Sequence, residues 1–141
     1  MQATQKLAAD LHVENVHFLG RRPYDELPSL MADAHVCLGI FGTSAKAQRV
    51  VPNKVFDGLA TARPVLTADT TGVREVLVHG DNAYLCPPGD PETLAGAITT
   101  LKFDEELRNR IARRGHRLFC ERFSIAALSR DAAVVMLDAI G

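Results

Sequence analysis

The sequence has few cysteines, no long apolar run and almost no net charge, and each of these features excludes a class of protein. Its three cysteines, Cys37, Cys86 and Cys120, are odd in number and widely spaced, which fits neither a disulfide framework nor a zinc site. We therefore expect reduced thiols in the cytoplasm. No apolar run reaches the roughly 18 residues of a membrane-spanning helix, and the N-terminal segment lacks the apolar core of a signal peptide. The net charge of −1 gives no general reason to bind nucleic acid or an anionic membrane.

Motifs of several common enzyme classes are also missing. The chain contains no GxSxG, HExxH, GxxxxGK[ST] or GxGxxG pattern. Its histidines are scattered, with no pair at i, i+4 spacing and none beside a serine or cysteine nucleophile pattern. The sequence therefore assigns no catalytic residue.

What the chain does have is enough apolar sequence for one domain with a core, since 47% of its 141 residues are hydrophobic. Residues 15 to 102 alternate between short apolar runs and helical patterns. Strands are predicted at 15–20, 35–41, 64–69 and 82–86. Helices are predicted at 2–12, 25–34, 52–62, 72–80, 91–102, 104–121 and 124–140, with a polar loop at 42–51.

This alternation predicts the α/β class, with a Rossmann-like parallel sheet covered by helices on both faces and two further helices at the C-terminus. We interpret residues 1–141 as a single partial domain. Its strand–helix core spans 13–102, and 103–141 forms the C-terminal helices. Ligands of such sheets bind outside the carboxyl ends of the strands, where loops 20–24, 42–52 and 69–73 emerge.

The second of these loops carries most of the candidate site. It offers flexible backbone at Gly42, a hydroxyl at Thr43, and cations at Lys46 and Arg49. The helix that follows starts near Pro52 and carries a further cation, Lys54. Free amides and the positive end of the helix dipole attract anions at such a start. The segment fits a diphosphate site, although by itself it favours a solvated basic loop before an ordinary helix.

Further candidates lie on either side. Asp57 follows Asn53 by four residues and could accept two hydroxyl donors of a ribose, or could pair with Lys54. Arg22, in the Arg21–Pro23 segment after the first predicted strand, could flank a base ring or be a surface arginine. The basic run at 108–117 is flanked by glutamates and favours a solvated helix face over a nucleic-acid or lipid patch.

These segments, taken in order, resemble the C-terminal half of retaining GT-B-fold glycosyltransferases of the family-4 (glycosyl transferases group 1) type. The similarity rests on NVHFLGRRPYDELPSLMADAHVCL, PNKVFDGLATARPVLTAD, GVREVLVHGDNAYLCPPGDPETLAGAI and the late RFS. It covers about residues 13–124, and each motif is loose by itself while the ordered series is specific.

The resemblance implies that the chain binds a nucleotide-sugar donor and serves transfer to a cell-surface polysaccharide or glycolipid, without a metal or other cofactor. In this family a Glu-x7-Glu motif holds the sugar and the ribose. Asp57 stands at the second position, and Arg49 replaces the first glutamate, so the chain departs from the pattern at both ends. Transfer in the family proceeds with help from the donor phosphate, which calls for phosphate-stabilising groups.

The resemblance also implies that an N-terminal acceptor domain, and the first two strands of the donor domain with their phosphate-binding cations, lie outside this chain. We expect the chain alone to be inactive, and the full enzyme to be cytoplasmic with possible peripheral attachment to the membrane. A non-catalytic half-domain that binds a nucleotide or a partner protein is the alternative. A sugar-nucleotide epimerase would need catalytic carboxylates that the sequence does not show. In the family's strand order, strand 15–20 would stand apart from the other three or slide in beside 35–41.

Overall fold

The computed structural model describes residues 2–140, and its elements follow the predicted alternation. The helices are α1 (Gln2–Asp10), α2 (Leu27–Ala32), α3 (Ala45–Arg49), α4 (Asn53–Ala60), α5 (Thr71–Arg74), α6 (Pro91–Phe103), α7 (Glu105–Arg122) and α8 (Ile125–Ile140). A 3-10 turn, Tyr24–Glu26, leads into α2. The strands are β1 (Cys37–Leu38), β2 (Val65–Ala68) and β3 (Tyr84–Cys86).

The three strands form one parallel sheet in the order β1-β2-β3. Cys37 lies opposite Val65, and Leu66 lies opposite Tyr84. Pairing continues beyond the end of β1, because the Gly39 amide donates to the Leu66 carbonyl over 2.8 Å. The prediction that 35–41, 64–69 and 82–86 form a contiguous parallel sheet is confirmed.

Helices cover both faces of this sheet, as the α/β pattern predicted. Val65 packs into a core with Val55 and Leu59 of α4. The next residue, Leu66, points to the other face and packs with Leu101 of α6 and residues of α7. Because successive β2 residues enter opposite cores, the central strand is buried on both sides.

Side-chain caps mark the starts of α6 and α8. Asp90 accepts the Thr93 amide at 3.0 Å at the start of α6, and Ser124 accepts the Ala127 amide at 3.2 Å at the start of α8. Pro91 occupies the first turn of α6, where its missing amide costs nothing. These ends follow directly from local side-chain chemistry.

Residues 15–20 do not form the predicted strand. They are exposed throughout and hydrogen-bond to no neighbouring strand. Leu19 and Gly20 line a cavity of about 380 Å³ together with Cys37 and Leu38 of β1. No backbone pairing joins the segment to β1, so it stands apart from the sheet. A strand is stabilised by hydrogen bonds to the backbone of an adjacent strand. An apolar sequence by itself does not place an adjacent strand beside it.

Two further boundaries were wrong. The predicted loop 42–51 contains α3, because the Ser44 hydroxyl accepts the Ala47 amide at 3.2 Å and starts a turn. The predicted helix 72–80 ends at Arg74 as α5. The chain turns back after it because the Asn82 side chain accepts the Val78 amide at 2.8 Å.

The first helix buries none of its residues. Leu7 is 56% exposed, and Leu11, just past the end of α1, is 65% exposed. The apolar side chains of this segment are therefore largely exposed to solvent. Across residues 2–140, no helix is long and apolar enough to cross a membrane.

Candidate functional site

Backbone hydrogen bonds gather the loops that leave the carboxyl ends of the strands at one edge of the sheet. The Asp69 amide, just after β2, donates to the Cys86 carbonyl at the end of β3 over 2.7 Å. The Gly89 amide donates to the Phe41 carbonyl beyond β1 over 2.8 Å. Gly89 has a φ of +72°, which favours glycine, and a Cβ there would lie 2.6 Å from Thr43 Cγ2. The 87–90 turn therefore lies directly against the candidate loop.

The N-terminus of α4 opens toward solvent at this edge. Pro52 has extended backbone (ψ 148°) and no side chain caps the helix. Asn53 and Lys54, the first two helical residues, are exposed. Their amides lack partners within the helix, so this end offers N–H donors, a cation and the positive end of the helix dipole together.

One turn into α4, Asp57 lines a cavity of about 260 Å³. The side chain is half-buried. The remaining wall is largely apolar, with one phenol and one hydroxyl, and consists of Tyr24, Leu27, Pro28, Met31, Ala60 and Thr61. A ligand with a flat apolar ring and nearby hydroxyl groups suits such a lining. The apolar wall can cover the ring of the ligand while the Asp57 carboxylate accepts hydrogen bonds from its hydroxyl groups.

A second cavity, the one between Leu19 and β1, brings two predicted residues together. Arg22 and Lys54 both line it, and Leu27 and Met31 line both cavities. Arg22 also pairs with Glu26 over 3.8 Å. Arg22, Lys54 and Asp57 therefore surround two adjoining cavities between α2 and α4.

The pairing of Lys54 with Asp57, which the spacing allowed, is not formed. The ion pairs within residues 2–140 join Arg22 to Glu26, Arg74 to Asp69, and Arg114 to Asp81. The Asp57 carboxylate is thus not neutralised by its neighbour on α4.

The other predicted residues form a separate group on the loop and α3. Gly42, Thr43, Lys46 and Arg49 are exposed there. The Arg49 Nε donates to the Ala45 carbonyl at 3.1 Å, so part of its guanidinium is used within its own helix. Gly72 of α5 fixes α3 in place, since a Cβ at Gly72 would lie 2.7 Å from the Arg49 carbonyl carbon.

Two features of the site edge are absent from the predictions. Tyr24 is 78% exposed and lines the Asp57 cavity; its position directly after Arg21–Pro23 is the signal that could have identified it. Arg74 and Asp69 form a bidentate ion pair with distances of 2.5 and 2.6 Å at the end of β2. Their separation of five residues across a loop gives no helical or strand signal.

Two carboxylates near this edge are stabilised in their charged form. Hydrogen bonds from Arg74 lower the pKa of Asp69, against a smaller opposing effect of burial. Hydrogen bonds from the Thr93 hydroxyl and amide lower the pKa of Asp90. Both groups have structural partners, whereas Asp57 is half-buried, lines a cavity and forms no ion pair within residues 2–140.

The basic run 108–117 is less solvated than predicted. Arg108 donates to the Leu101 carbonyl at the end of α6 over 2.8 Å, and Arg114 pairs with Asp81. Ile111, within the same run, is fully buried. No group of three His, Cys, Asp or Glu side chains within 2–140 is arranged to hold a metal ion.

The profile of the family Glycosyl transferases group 1 matches residues 1–104 of the chain. The lipopolysaccharide core biosynthesis glycosyltransferase LpsE of Rhizobium meliloti is 32% identical over 133 residues, which make up 94% of this chain and 37% of LpsE. The chain thus spans about a third of the length of this relative.

Solved structures show the same fold. The structure of Anabaena HepE in complex with UDP-glucose superposes with a TM-score of 0.82 at 25% identity, covering 97% of this chain and 36% of HepE. The C-terminal domain of the group 1 glycosyl transferase LpcC from Francisella tularensis superposes with a TM-score of 0.65 at 18% identity, covering 88% of this chain and 62% of that domain structure. The parallel sheet, its helices and the two C-terminal helices match the C-terminal domains of GT-B glycosyltransferases.

Proposed function

The chain belongs to the glycosyl transferases group 1 family, and we propose that it forms the donor-binding part of an enzyme that transfers a sugar from a nucleotide sugar to a polysaccharide or glycolipid. The observation that carries this proposal is the arrangement along α4. The uncapped helix start with Lys54 lies one turn from Asp57, which faces an apolar cavity beside Tyr24.

Each part of the donor has a matching partner in this arrangement. The diphosphate lies at the start of α4, where amides and Lys54 stabilise its charge. The ribose hydroxyls donate to the Asp57 carboxylate, and the base lies against Tyr24 and the loop at Arg22. HepE, which shares the fold, was solved with UDP-glucose, which makes a nucleotide sugar a reasonable ligand to test.

The same site stabilises the leaving nucleotide during transfer. When the bond between the sugar and the diphosphate breaks, negative charge develops on the phosphate oxygen, and the helix start and Lys54 are placed to stabilise it. No metal or other cofactor is part of the proposal. Because the chain spans about a third of LpsE, we place the acceptor site outside it and propose that the chain alone does not transfer sugar.

The acceptor class and location are part of the same proposal. The name of LpsE places it in lipopolysaccharide core synthesis, which supports a cell-surface polysaccharide or glycolipid acceptor. The three free cysteines favour a reducing compartment, so we place the protein in the cytoplasm, with attachment of the full enzyme to the membrane surface as a further part of the proposal.

The phosphate role is tested by comparing UDP with uridine in calorimetric titrations. We expect Lys54→Ala to weaken UDP binding by about 1–3 kcal/mol, the range for hydrogen bonds to a charged group, and to leave uridine binding nearly unchanged. Lys102→Ala, which removes an exposed cation from the end of α6, is the matched control. Equal losses for UDP and uridine would remove Lys54 from the phosphate site.

A non-catalytic nucleotide-binding half-domain is the alternative function, and the calorimetric test does not distinguish it. Transfer from UDP-glucose by a longer protein that contains this chain would favour the enzyme. Tight nucleotide binding without turnover of any nucleotide sugar in that longer protein would favour the half-domain.

A further inference from the structure

The three cysteines lie in two different environments. Cys37 and Cys86 are buried in β1 and β3, and burial raises the pKa of both thiols. Cys120 lies near the end of α7 and is exposed. Since the thiolate is the reactive form of cysteine and must be reached by its reagent, Cys120 is the thiol of this chain that meets dissolved molecules.

An imidazole is held beside this thiol. The His116 ring places Nε2 at 3.5 Å from Cys120 Sγ, and its Nδ1 lies 3.1 Å from the Leu59 carbonyl of α4. A carbonyl only accepts hydrogen bonds, so Nδ1 carries the proton, and Nε2 of the neutral ring is the acceptor that faces the thiol. This contact is absent from the predictions, which found no histidine beside a nucleophile.

The orientation of His116 does not depend on Cys120 itself. Leu59 is fully buried in the core between α4 and the sheet, so its carbonyl is a fixed acceptor on a neighbouring element. A base oriented by a third group, and in reach of a nucleophile, is the arrangement that activates cysteine in proteins.

Two arginines accompany Cys120 on α7. Arg113 and Arg117 lie seven and three residues before Cys120 on α7, which puts them on the same stripe of the helix. Both side chains are exposed. Glu121 is the neighbouring carboxylate, and the two cations outnumber it. The same cations attract a reagent that carries negative charge.

We propose that Cys120 and His116 form a thiol modification site for small disulfides that carry carboxylates. His116 Nε2 takes the thiol proton, and the Cys120 thiolate attacks one sulfur of the disulfide. The S–S bond of the reagent breaks, and its other sulfur leaves as a thiolate. The imidazolium gives its proton to that thiolate or, when the thiolate is a weak base, to solvent. The products are a mixed disulfide on Cys120 and one free small thiol, and the small disulfide is the only oxidant.

This site is separate from the donor site. Leu59 and Asp57 are two residues apart on α4, which places them about 200° apart around the helix. The modified thiol therefore lies on the opposite side of α4 from the Asp57 cavity. The proposal goes beyond the proposed function and stands whether or not the chain binds a nucleotide sugar.

The test is the rate at which the folded chain reacts at neutral pH with a bis-nitrobenzoate disulfide, whose released thiolate is coloured. We expect one fast thiol, located at Cys120 by mass spectrometry and absent in Cys120→Ser. His116→Gln should slow it about tenfold, because the amide can donate to the Leu59 carbonyl but cannot take the thiol proton. The melting temperature of this variant shows whether its fold is kept.

A second measurement does not depend on that variant folding. In urea, His116 is no longer held next to the thiol. The rate at which Cys120 reacts with the disulfide should therefore fall to that of an ordinary exposed thiol. Free imidazole should restore part of the rate in His116→Ala. Equal rates for the wild type and a folded His116→Gln, or a fast thiol at Cys37 or Cys86, would overturn the proposal.

Discussion

Asp57 is the residue that distinguishes the proposed donor site from an ordinary helix start. Many helices begin with exposed amides and a lysine, but here the next turn carries an aspartate that lines a cavity together with an aromatic residue. The sequence predicted the helix that carries Asp57, and the role of Asp57 stays a prediction. Tyr24 was missed because its contact with that cavity depends on how α2 packs on α4, which no local pattern encodes.

Replacing Asp57 by alanine should weaken binding of UDP or UDP-glucose by about 1–3 kcal/mol, because two ribose hydroxyls lose their acceptor. Calorimetry on the folded variant gives the difference. Asp138→Ala, which removes an exposed carboxylate from α8, is the control. An unchanged affinity in folded Asp57→Ala would remove this residue from the site.

The ion pair of Asp69 and Arg74 should appear in the pH dependence of stability. The pKa of Asp69 is lowered in the folded chain by Arg74, so the pair stabilises the fold above the ordinary carboxyl pKa of 3.8. That contribution is lost as the pH falls through the lowered value. Arg74→Gln should therefore be slightly less stable than the wild type near neutral pH.

The two proteins should become equally stable in acid, and urea unfolding at several pH values measures this convergence. A stability difference that stays constant down to the acid limit would show that Arg74 acts through packing rather than through the charge of Asp69.

At the scale of helices and strands, the close contact of α7 with α4 depends on Gly115. A Cβ there would lie 2.7 Å from Leu59 Cδ2 and 2.8 Å from the Asn82 carbonyl oxygen. Gly115 is buried within α7, and the carbonyl oxygen is backbone that moves little. This contact sets the distance between the two helices and keeps His116 within reach of Leu59.

Gly115→Ala should destabilise the chain by about 1–3 kcal/mol, the range for overpacking a core. Gly96 of α6 is the matched control, because a Cβ there meets nothing within 4 Å. Gly96→Ala should instead stabilise by about 0.5–1 kcal/mol, since alanine is the better helix former. Urea unfolding that gave both variants the same sign would contradict the packing described for α4 and α7.

Elements with strong local signals could be predicted from the sequence, and elements that depend on neighbours could not. Helices α6, α7 and α8 begin at the caps that Asp90, Asp104 and Ser124 provide. Residues 15–20 resemble a strand in sequence but pair with no strand of the sheet. Helix α3 was not predicted because the five residues after Ser44 are polar or small and show no helical spacing of apolar side chains.

At the scale of the whole molecule, the two edges of the sheet differ. The β3 edge is closed, since His79 bridges to Ala83 and its Nδ1 accepts the Leu85 amide at 3.0 Å. The β1 edge is open along the cavity that Leu38 lines, and Leu38 is 45% exposed. An open apolar edge pairs readily with other chains.

We therefore expect the chain by itself to associate and to bind dyes that report exposed apolar surface. Leu38→Lys should reduce association several-fold, because a lysine on an edge strand opposes pairing. Val78→Lys, at a 58% exposed position in the turn before the closed edge, should have little effect. Light scattering at matched concentrations compares the two, and an equal effect of both would show that association does not use the β1 edge.

The assignment of the donor site to α4 is tested by hydrogen–deuterium exchange of the chain with and without UDP-glucose, read by mass spectrometry. We predict slower exchange in peptides that cover 21–31 and 50–61, where the loop at Arg22, Tyr24, α2 and the start of α4 surround the cavities, and unchanged exchange in α8. Protection confined to other parts of the chain, or no protection at a concentration of UDP-glucose that saturates binding in calorimetry, would contradict the assignment of the donor site to α4.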